Sequence, residues 1–283
     1  MHFSRRGPIS GERPVVTHDG ADYDLTPLTS DIDGEFLSTD GVARTRAALA
    51  AGTLPRVEFG DDERWGAPIA SIGKVVCIGL NYRDHAAETG AEPPVEPVVF
   101  LKAADTVGGP HDDVRIPRGS TKTDWEVELA VIIGSEGRYL ESDAEAAAAI
   151  AGYALSHDVS EREFQLERGG QWDKGKNCEG FNPLGPWLVP ADEIDDVQNL
   201  GLRLRVNGQT KQDGSTANQI FPVLQVVRYL SQFMVLRPGD IINTGTPAGV
   251  ALGVNDFTYL RDGDVVELEI DGLGRARQRF VNA

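Results

Sequence analysis

Residues 123–134 read Thr-Asp-Trp-Glu-Val-Glu-Leu-Ala-Val-Ile-Ile-Gly. From Asp124 onward their pattern predicts a strand that Gly134 ends. Side chains alternate faces along a strand, so Trp125, Val127 and Leu129 point to a core. Glu126 and Glu128 then share the opposite side, followed there by Ala130 and Ile132. Two carboxylates held side by side next to apolar residues repel each other unless a cation lies between them. An isolated Glu-x-Glu in an acidic chain is ordinarily a solvated strand face, so this pair needs support from elsewhere in the sequence.

Working outward, residues 74–80 (KVVCIGL) and 97–103 (PVVFLKA) are short apolar runs that read as strands, and 81–90 (NYRDHAAETG) as a helical turn or two closed by Gly90. Ser142 and Glu145 have capping-box spacing at the start of a helix that Gly152 is expected to end. Residues 153–159 (YALSHDV) read as a strand. Ser160 and Glu163 predict a second capping box opening a helix over 160–168, stopped by Gly169 and Gly170. The Asn-Gly pair in 202–212 (LRLRVNGQTKQ) predicts a hairpin, residues 221–234 a helix with Pro222 in its first turn, and residues 265–281 a final hairpin around Asp271-Gly272. Residues 239–250 (GDIINTGTPAGV) read as a strand entering a Gly-rich loop. Residues 1–70 have a different texture: an Asp-Gly turn and short strand in 19–28, a helix over 41–52 and a Pro/Gly/Asp-rich linker near Gly60–Pro68. The division expected is a small N-terminal α+β module, residues 1–70, and a catalytic domain, residues 71–283. Strands outnumber helices and connections are short, so the fold class is α+β and β-rich, not a βαβ array.

The chain has 283 residues, 40% of them hydrophobic, which is enough for a sizeable core. Its net charge of −17 argues against nucleic acid or an anionic membrane as partner. No apolar run has membrane-spanning length, and the charged N-terminal stretch has no apolar segment behind it to make a secretory signal. Cys77 and Cys178 have no CxxC spacing, and a reduced, cytoplasmic setting is expected. Lysine is rare: Lys74, Lys102, Lys122, Lys174, Lys176 and Lys211 are the whole set. A Lys-poor acidic surface fits a high-salt cytoplasm or an arginine-biased genome, and the sequence leaves both open.

Asp158 lies at the end of a strand of small and apolar residues, where it is placed to join Glu126 and Glu128 in a three-carboxylate site. An oxygen-only set suits a hard divalent ion: Mg²⁺, with Mn²⁺ or Ca²⁺ also fitting. His85 and Glu88 are three apart and share a helix face. A carboxylate beside an imidazole orients it and raises its basicity, as a general base for water requires. Lys174 and Lys176 both lie in a Gly-rich stretch next to an aromatic, and either is suited to hold a cation over a reacting oxygen. Gly245 and Thr246 follow a strand, where backbone N–H groups and a hydroxyl can hold a carboxylate.

Six segments in this order, GLNYRDHAAETG, PVVFLKA, TDWEVELAVIIG, HDVSEREFQLERGGQWDKGK, NGQTKQDGSTANQIF and GDIINTGTPAGVALG, resemble the fumarylacetoacetate hydrolase superfamily over residues 70 to 283. The resemblance implies a β-rich mixed roll or sandwich of the fumarylacetoacetase C-terminal type, commonly a homodimer. Carried over by position, it makes Glu126, Glu128 and Asp158 the metal ligands, His85 and Glu88 a catalytic dyad, and Lys176, not Lys174, the active-site lysine. Arg162, Gln165 and Thr246 match substrate-binding positions. Glu179 departs from the aspartate that many relatives carry.

Within that superfamily the layout is most similar to hydrolases of 2,4-dioxo-3-deoxy sugar acids of the rhamnonate and fuconate type, enzymes of carbohydrate catabolism. The expected activity is therefore metal-dependent hydrolysis of a carbon–carbon bond in a small ketonic acid, releasing pyruvate. The fold alone does not fix the reaction. Decarboxylation of oxaloacetate, isomerisation of a dienoate and a ureidoglycolate lyase-type reaction use related chemistry. A metal-containing protein that binds an oxo acid without turnover is the alternative from a different class.

Overall fold

The strand read from residues 124–134 forms as two pieces in the computed structural model of the protein, which describes residues 1–253 and 258–283. Thr123–Asp124 pairs with Ser160–Glu161 in a two-stranded ladder. Val127–Ile133 enters a six-stranded sheet. Trp125 and Glu126 fall in the break between them. The strands of the large sheet run in the order Val189–Pro190, Ile150–His157, Val127–Ile133, Ile241–Asn243, Val75–Gly79 and Val98–Lys102.

Val127–Ile133 is buried along its whole length, and its two faces serve different cores. Val127, Leu129, Val131 and Ile133 pack in one cluster with Leu202, Leu204, Val266, Leu268 and Ile270. Those last five residues come from a second, five-stranded sheet, whose order is Gln209–Ser215, Gly201–Val206, Val265–Ile270, Gly274–Asn282 and Val114–Ile116. The sheets thus bury a shared apolar layer, as a strand pattern of alternating Leu and Val demands. On the other face, Ala130 and Ile132 join Phe3, Val16, Leu25, Phe36 and Ile241 in a second cluster. The side that begins with Glu128 therefore ends in a core.

That second core draws on both sides of position 70. Its N-terminal part is a five-stranded sheet in the order Arg56–Val57, Ala21–Asp24, Arg13–His18, His2–Arg6 and Trp65–Gly66, with helices Gly34–Ser38 and Gly41–Ala50. Trp65–Gly66, inside the stretch read as a linker, pairs with Arg5 and Arg6. Phe3 also exchanges two backbone hydrogen bonds with Leu188, at 2.9 and 2.8 Å.

Both predicted hairpins form, with Asn207 and Gly208 at positive φ in one turn and Gly272 in the other. The capping box at Ser142 and Glu145 is complete, but its helix stops at Ala149 and Gly152 lies inside the next strand. The glycine has another reason to be there. A Cβ on Gly152 would lie 2.0 Å from the Val189 carbonyl oxygen, so the neighbouring strand approaches only because the side chain is missing. The second capping box does not form. Ser160 is paired as strand, its hydroxyl donates to the Asp158 carbonyl at 3.0 Å, and residues Glu163–Glu167 make a single π-helical turn. Ladder pairing with Thr123–Asp124 overrides the local helix signal.

Gly152→Ala is expected to keep the fold but cost about 1–3 kcal/mol, the usual effect of overpacking. Urea unfolding measures it, and an unchanged midpoint would contradict the close approach.

Candidate metal centre and active site

Strand pairing assembles the carboxylates. Val127 is opposite His157 and Glu128 opposite Ser156. Asp158, one residue past the strand end, donates its N–H to the Glu126 carbonyl at 3.0 Å. Glu126, Glu128 and Asp158 thereby offer oxygens within 4.8 Å of one another, and all three residues are buried. Carboxylates this close and this dry require cations. Lys176 Nζ donates to Glu126 Oε2 at 2.7 Å and to Asp158 Oδ2 at 2.8 Å. Arg162 donates to Glu126 Oε1 at 2.7 Å and to Asp124 Oδ2 at 2.8 Å. Lys102, fully buried, ion-pairs with Asp158 Oδ1 and donates to the Phe181 carbonyl at 2.5 Å.

These charges do not cancel. Asp124, Glu126, Glu128 and Asp158 outnumber Lys102, Arg162 and Lys176 by one. The residue left over is Glu128. It accepts the Gly245 N–H at 2.8 Å, and among the described residues no lysine or arginine hydrogen-bonds it. Burial, then the charges of Asp158 and Glu126, push its carboxyl well above the usual carboxylate range. Burial works the same way on Glu126, but Lys176 and Arg162 outweigh it and hold that carboxyl down to about 2. Lys176 is moved upward: burial opposes its charge, and Asp158 and Glu126 more than compensate. A divalent cation among the three carboxylates would relieve the excess negative charge, and a set of three oxygen donors with no sulfur or imidazole suits Mg²⁺, Mn²⁺ or Ca²⁺.

The centre opens into a cavity of about 200 Å³. His85, Glu126, Glu128, Arg162, Gln165, Lys176 and Thr246 all line it. His85 is on helix Arg83–Thr89, closed by Gly90 at φ 67°. Its Nδ1 is 3.4 Å from Glu88 Oε2, and among the described residues Nε2 has no hydrogen-bond partner. Glu88 does not line the cavity; it accepts the Gly249 N–H at 2.9 and 3.0 Å. Gly249 has φ 108°, and a Cβ there would lie 2.0 Å from the Lys211 carbonyl oxygen, so the loop reaches Glu88 only with glycine. Gln165 Oε1 accepts from Arg162 at 3.0 Å. The Thr246 hydroxyl donates to the Val127 carbonyl at 2.9 Å and accepts from Gln212 at 2.8 Å. Its proton is therefore engaged. Lys174 lies apart, donating to the Arg168 carbonyl at 2.7 Å, and Glu179 is an exposed partner of Arg115 at 3.6 Å.

Three participants were not picked out from the sequence. Lys102 carried a signal, a scarce lysine in an apolar strand. Asp124 holds Arg162 and also accepts the N–H groups of Ala251 and Leu252, at 2.8 and 3.0 Å, which fixes the loop beside the cavity. Gln212 clamps Thr246, the Pro247 carbonyl and the Val127 N–H. Neither Asp124 nor Gln212 has a local pattern that reveals such long-range work.

The sequence profile of the fumarylacetoacetate (FAA) hydrolase C-terminal family matches residues 74–281. The chain belongs to this family. A Burkholderia orbicola relative, provisionally named a hydrolase with no substrate given, is 48% identical over 285 residues, covering 100% of both chains. Among solved structures, a 5-carboxymethyl-2-hydroxymuconate delta-isomerase from Mycobacterium smegmatis is 30% identical with TM-score 0.78, covering 100% of this chain and 99% of its own. Maleylpyruvate hydrolase from Sphingobium, solved with manganese(II) and pyruvate, is 26% identical with TM-score 0.81, covering 100% of both. The family thus contains hydrolases and isomerases of small acids. Among the described residues no helix is long and apolar enough to cross a membrane.

Because burial and the neighbouring Asp158 and Glu126 push the Glu128 carboxyl well above the usual carboxylate range, cation binding competes with its proton. Apparent Mn²⁺ affinity is expected to rise with pH until Glu128 ionises, with proton release visible by calorimetry in buffers of different ionisation enthalpy. Glu128→Gln should weaken binding at least about tenfold, since even residues behind the ligands carry effects of that size. Affinity independent of pH and of this substitution would contradict the assignment.

Proposed function

We propose that this protein hydrolyses the C3–C4 bond of a 2,4-dioxo acid and releases pyruvate. The observation that carries the proposal is His85 on one wall of a cavity, with Glu88 behind it, over a floor that is a buried carboxylate–lysine cluster. A binding protein has no use for an oriented imidazole with a free Nε2.

Glu126, Glu128 and Asp158 would hold the divalent ion, which supplies Lewis-acid polarisation of the substrate's 2-oxo acid end. The remaining steps fall to side chains. His85 Nε2 takes a proton from water while Glu88, anchored by the Gly249 N–H, keeps Nδ1 oriented. The water oxygen bonds to C4, the C3–C4 bond breaks, and its electron pair leaves as the enolate of pyruvate. The proton held on His85 then returns to C3. Lys176, kept charged by Asp158 and Glu126, stabilises the negative charge that develops. Arg162 and Gln165 form the adjoining wall and steady Glu126. The Thr246 segment would contact the substrate through its backbone, because its hydroxyl is already bonded.

Manganese and pyruvate in the similar maleylpyruvate hydrolase support this reading. The motif resemblance adds 2,4-dioxo-3-deoxy sugar acids, and hence carbohydrate catabolism, to the substrates worth assaying. The similar isomerase structure favours a second reading, in which the same site shifts a double bond in a dienoate without attacking water. The working form is taken to be a cytoplasmic homodimer with Mg²⁺ bound.

Pyruvate release from 2,4-dioxo acids, with oxaloacetate alongside, separates these reactions. Mg²⁺-dependent pyruvate from the dioxo acids is expected. His85→Ala should reduce it about 10²–10⁴-fold and leave any oxaloacetate decarboxylation largely intact. Loss of both activities together would argue against His85 acting on water.

A further inference from the structure

Past the charged floor, the cavity changes character. Its remaining walls are Ile78, Leu80, Ala91, Phe100, Leu166, Trp172 and Leu252. Most of the polar groups that line it are already committed. Arg162 uses Nε on Asp124, one terminal nitrogen on Glu126 and the other on Gln165. Thr89 donates its hydroxyl to the carbonyls of His85 and Ala86, at 3.0 and 3.3 Å. Lys176 bridges two carboxylates. Among the described lining residues this leaves Gln165 Nε2, the Trp172 indole N–H and, when protonated, His85 Nε2 as the side-chain donors not engaged in holding the charged floor.

Leu80 adds an independent sign. It follows strand Val75–Gly79 with φ 54°, in the left-handed region. Glycine or asparagine adopts that conformation at less cost than leucine. Here the strained position carries an apolar side chain into the cavity wall. Leu166 and Leu252 are 41% and 40% exposed, so each presents uncovered apolar surface at the site.

We infer that the group attached to C4 of the substrate is apolar, an alkyl or aryl tail, and is neither a polyhydroxylated chain nor a second carboxylate. Among the described lining residues a tail carboxylate would find no unpaired lysine or arginine. Hydroxyls would exchange water for hydrocarbon and leave their hydrogen bonds unmade. A methylene chain would bury itself against Leu80, Leu166, Trp172 and Leu252 at a gain of about fourfold in kcat/KM per carbon. Leu80, Leu166 and Leu252 thus act as specificity-determining residues. The inference rests on the acylpyruvate reading above and narrows it.

The test uses the full-length, Mg²⁺-loaded protein and a series of acylpyruvates. The acyl group runs from acetyl through butanoyl to hexanoyl, with a hydroxylated and a carboxylate-bearing tail of matched length. The expected result is kcat/KM rising with chain length and at least about tenfold lower for both polar tails. Leu166→Ser and Leu252→Ser should flatten the series, and their partial exposure should leave the thermal midpoint in place. A flat series, or preference for a hydroxylated or anionic tail, overturns the inference while leaving acylpyruvate hydrolysis standing. If no member is cleaved, the hydrolase reading fails. Calorimetric binding of pyruvate, 2-oxobutanoate and 2-oxohexanoate then still reads the tail site: affinity growing with length supports it, and length-independent affinity rejects it.

Discussion

Asp124, Glu126, Glu128 and Asp158 are buried together with Lys102, Arg162 and Lys176, and this arrangement constrains almost everything around it. Several charges cannot leave water unless each finds a partner at hydrogen-bonding distance. The partners come from distant parts of the chain. Lys102 lies on the edge strand of the large sheet, Arg162 just after a short ladder, and Lys176 at the end of a four-residue helix. Each pairing therefore ties one segment to the central strand or to the strand beside it. The single excess negative charge falls on Glu128, the innermost acid of the pair. It is this imbalance, more than the count of acidic residues, that suits the cluster to a cation.

The fold supplies the rigidity the cluster needs. Both faces of Val127–Ile133 are packed, one against the five-stranded sheet and the other against the N-terminal segment. The cluster lies at one end of that strand, where backbone pairing gives way and side chains turn toward a cavity. Asp124 and Glu88 extend its reach by gripping backbone N–H groups of the 249–252 loop. His85 and Glu88 on the helix and the carboxylates at the end of the central strand are thus held against a common loop, and the distance between His85 and the floor does not depend on a single contact.

Much of this was legible in the sequence because its signals are local. Alternation exposed Glu126 and Glu128, i,i+3 spacing exposed His85 and Glu88, and Asn-Gly and Asp-Gly marked two hairpins that form as expected. The order of six motifs gave the family and separated Lys176 from Lys174, which the structure places away from the cluster. What stayed hidden depends on tertiary contact. Gly152 resembled a helix terminator and is instead a site of close strand approach. Ser160 and Glu163 had capping-box spacing, yet pairing with Thr123–Asp124 took precedence. Asp124 and Lys102 matter only because folding brings them to Arg162 and Asp158.

The central claim is that three carboxylates, and not the lysine bridge alone, form the working centre. Anomalous diffraction from crystals grown with Mn²⁺ tests it directly. One peak within about 2.0–2.6 Å of oxygens from Glu126, Glu128 and Asp158 is the predicted result. Mn²⁺-dependent turnover in protein whose crystals show no peak there, or a peak bound by other side chains, would contradict it.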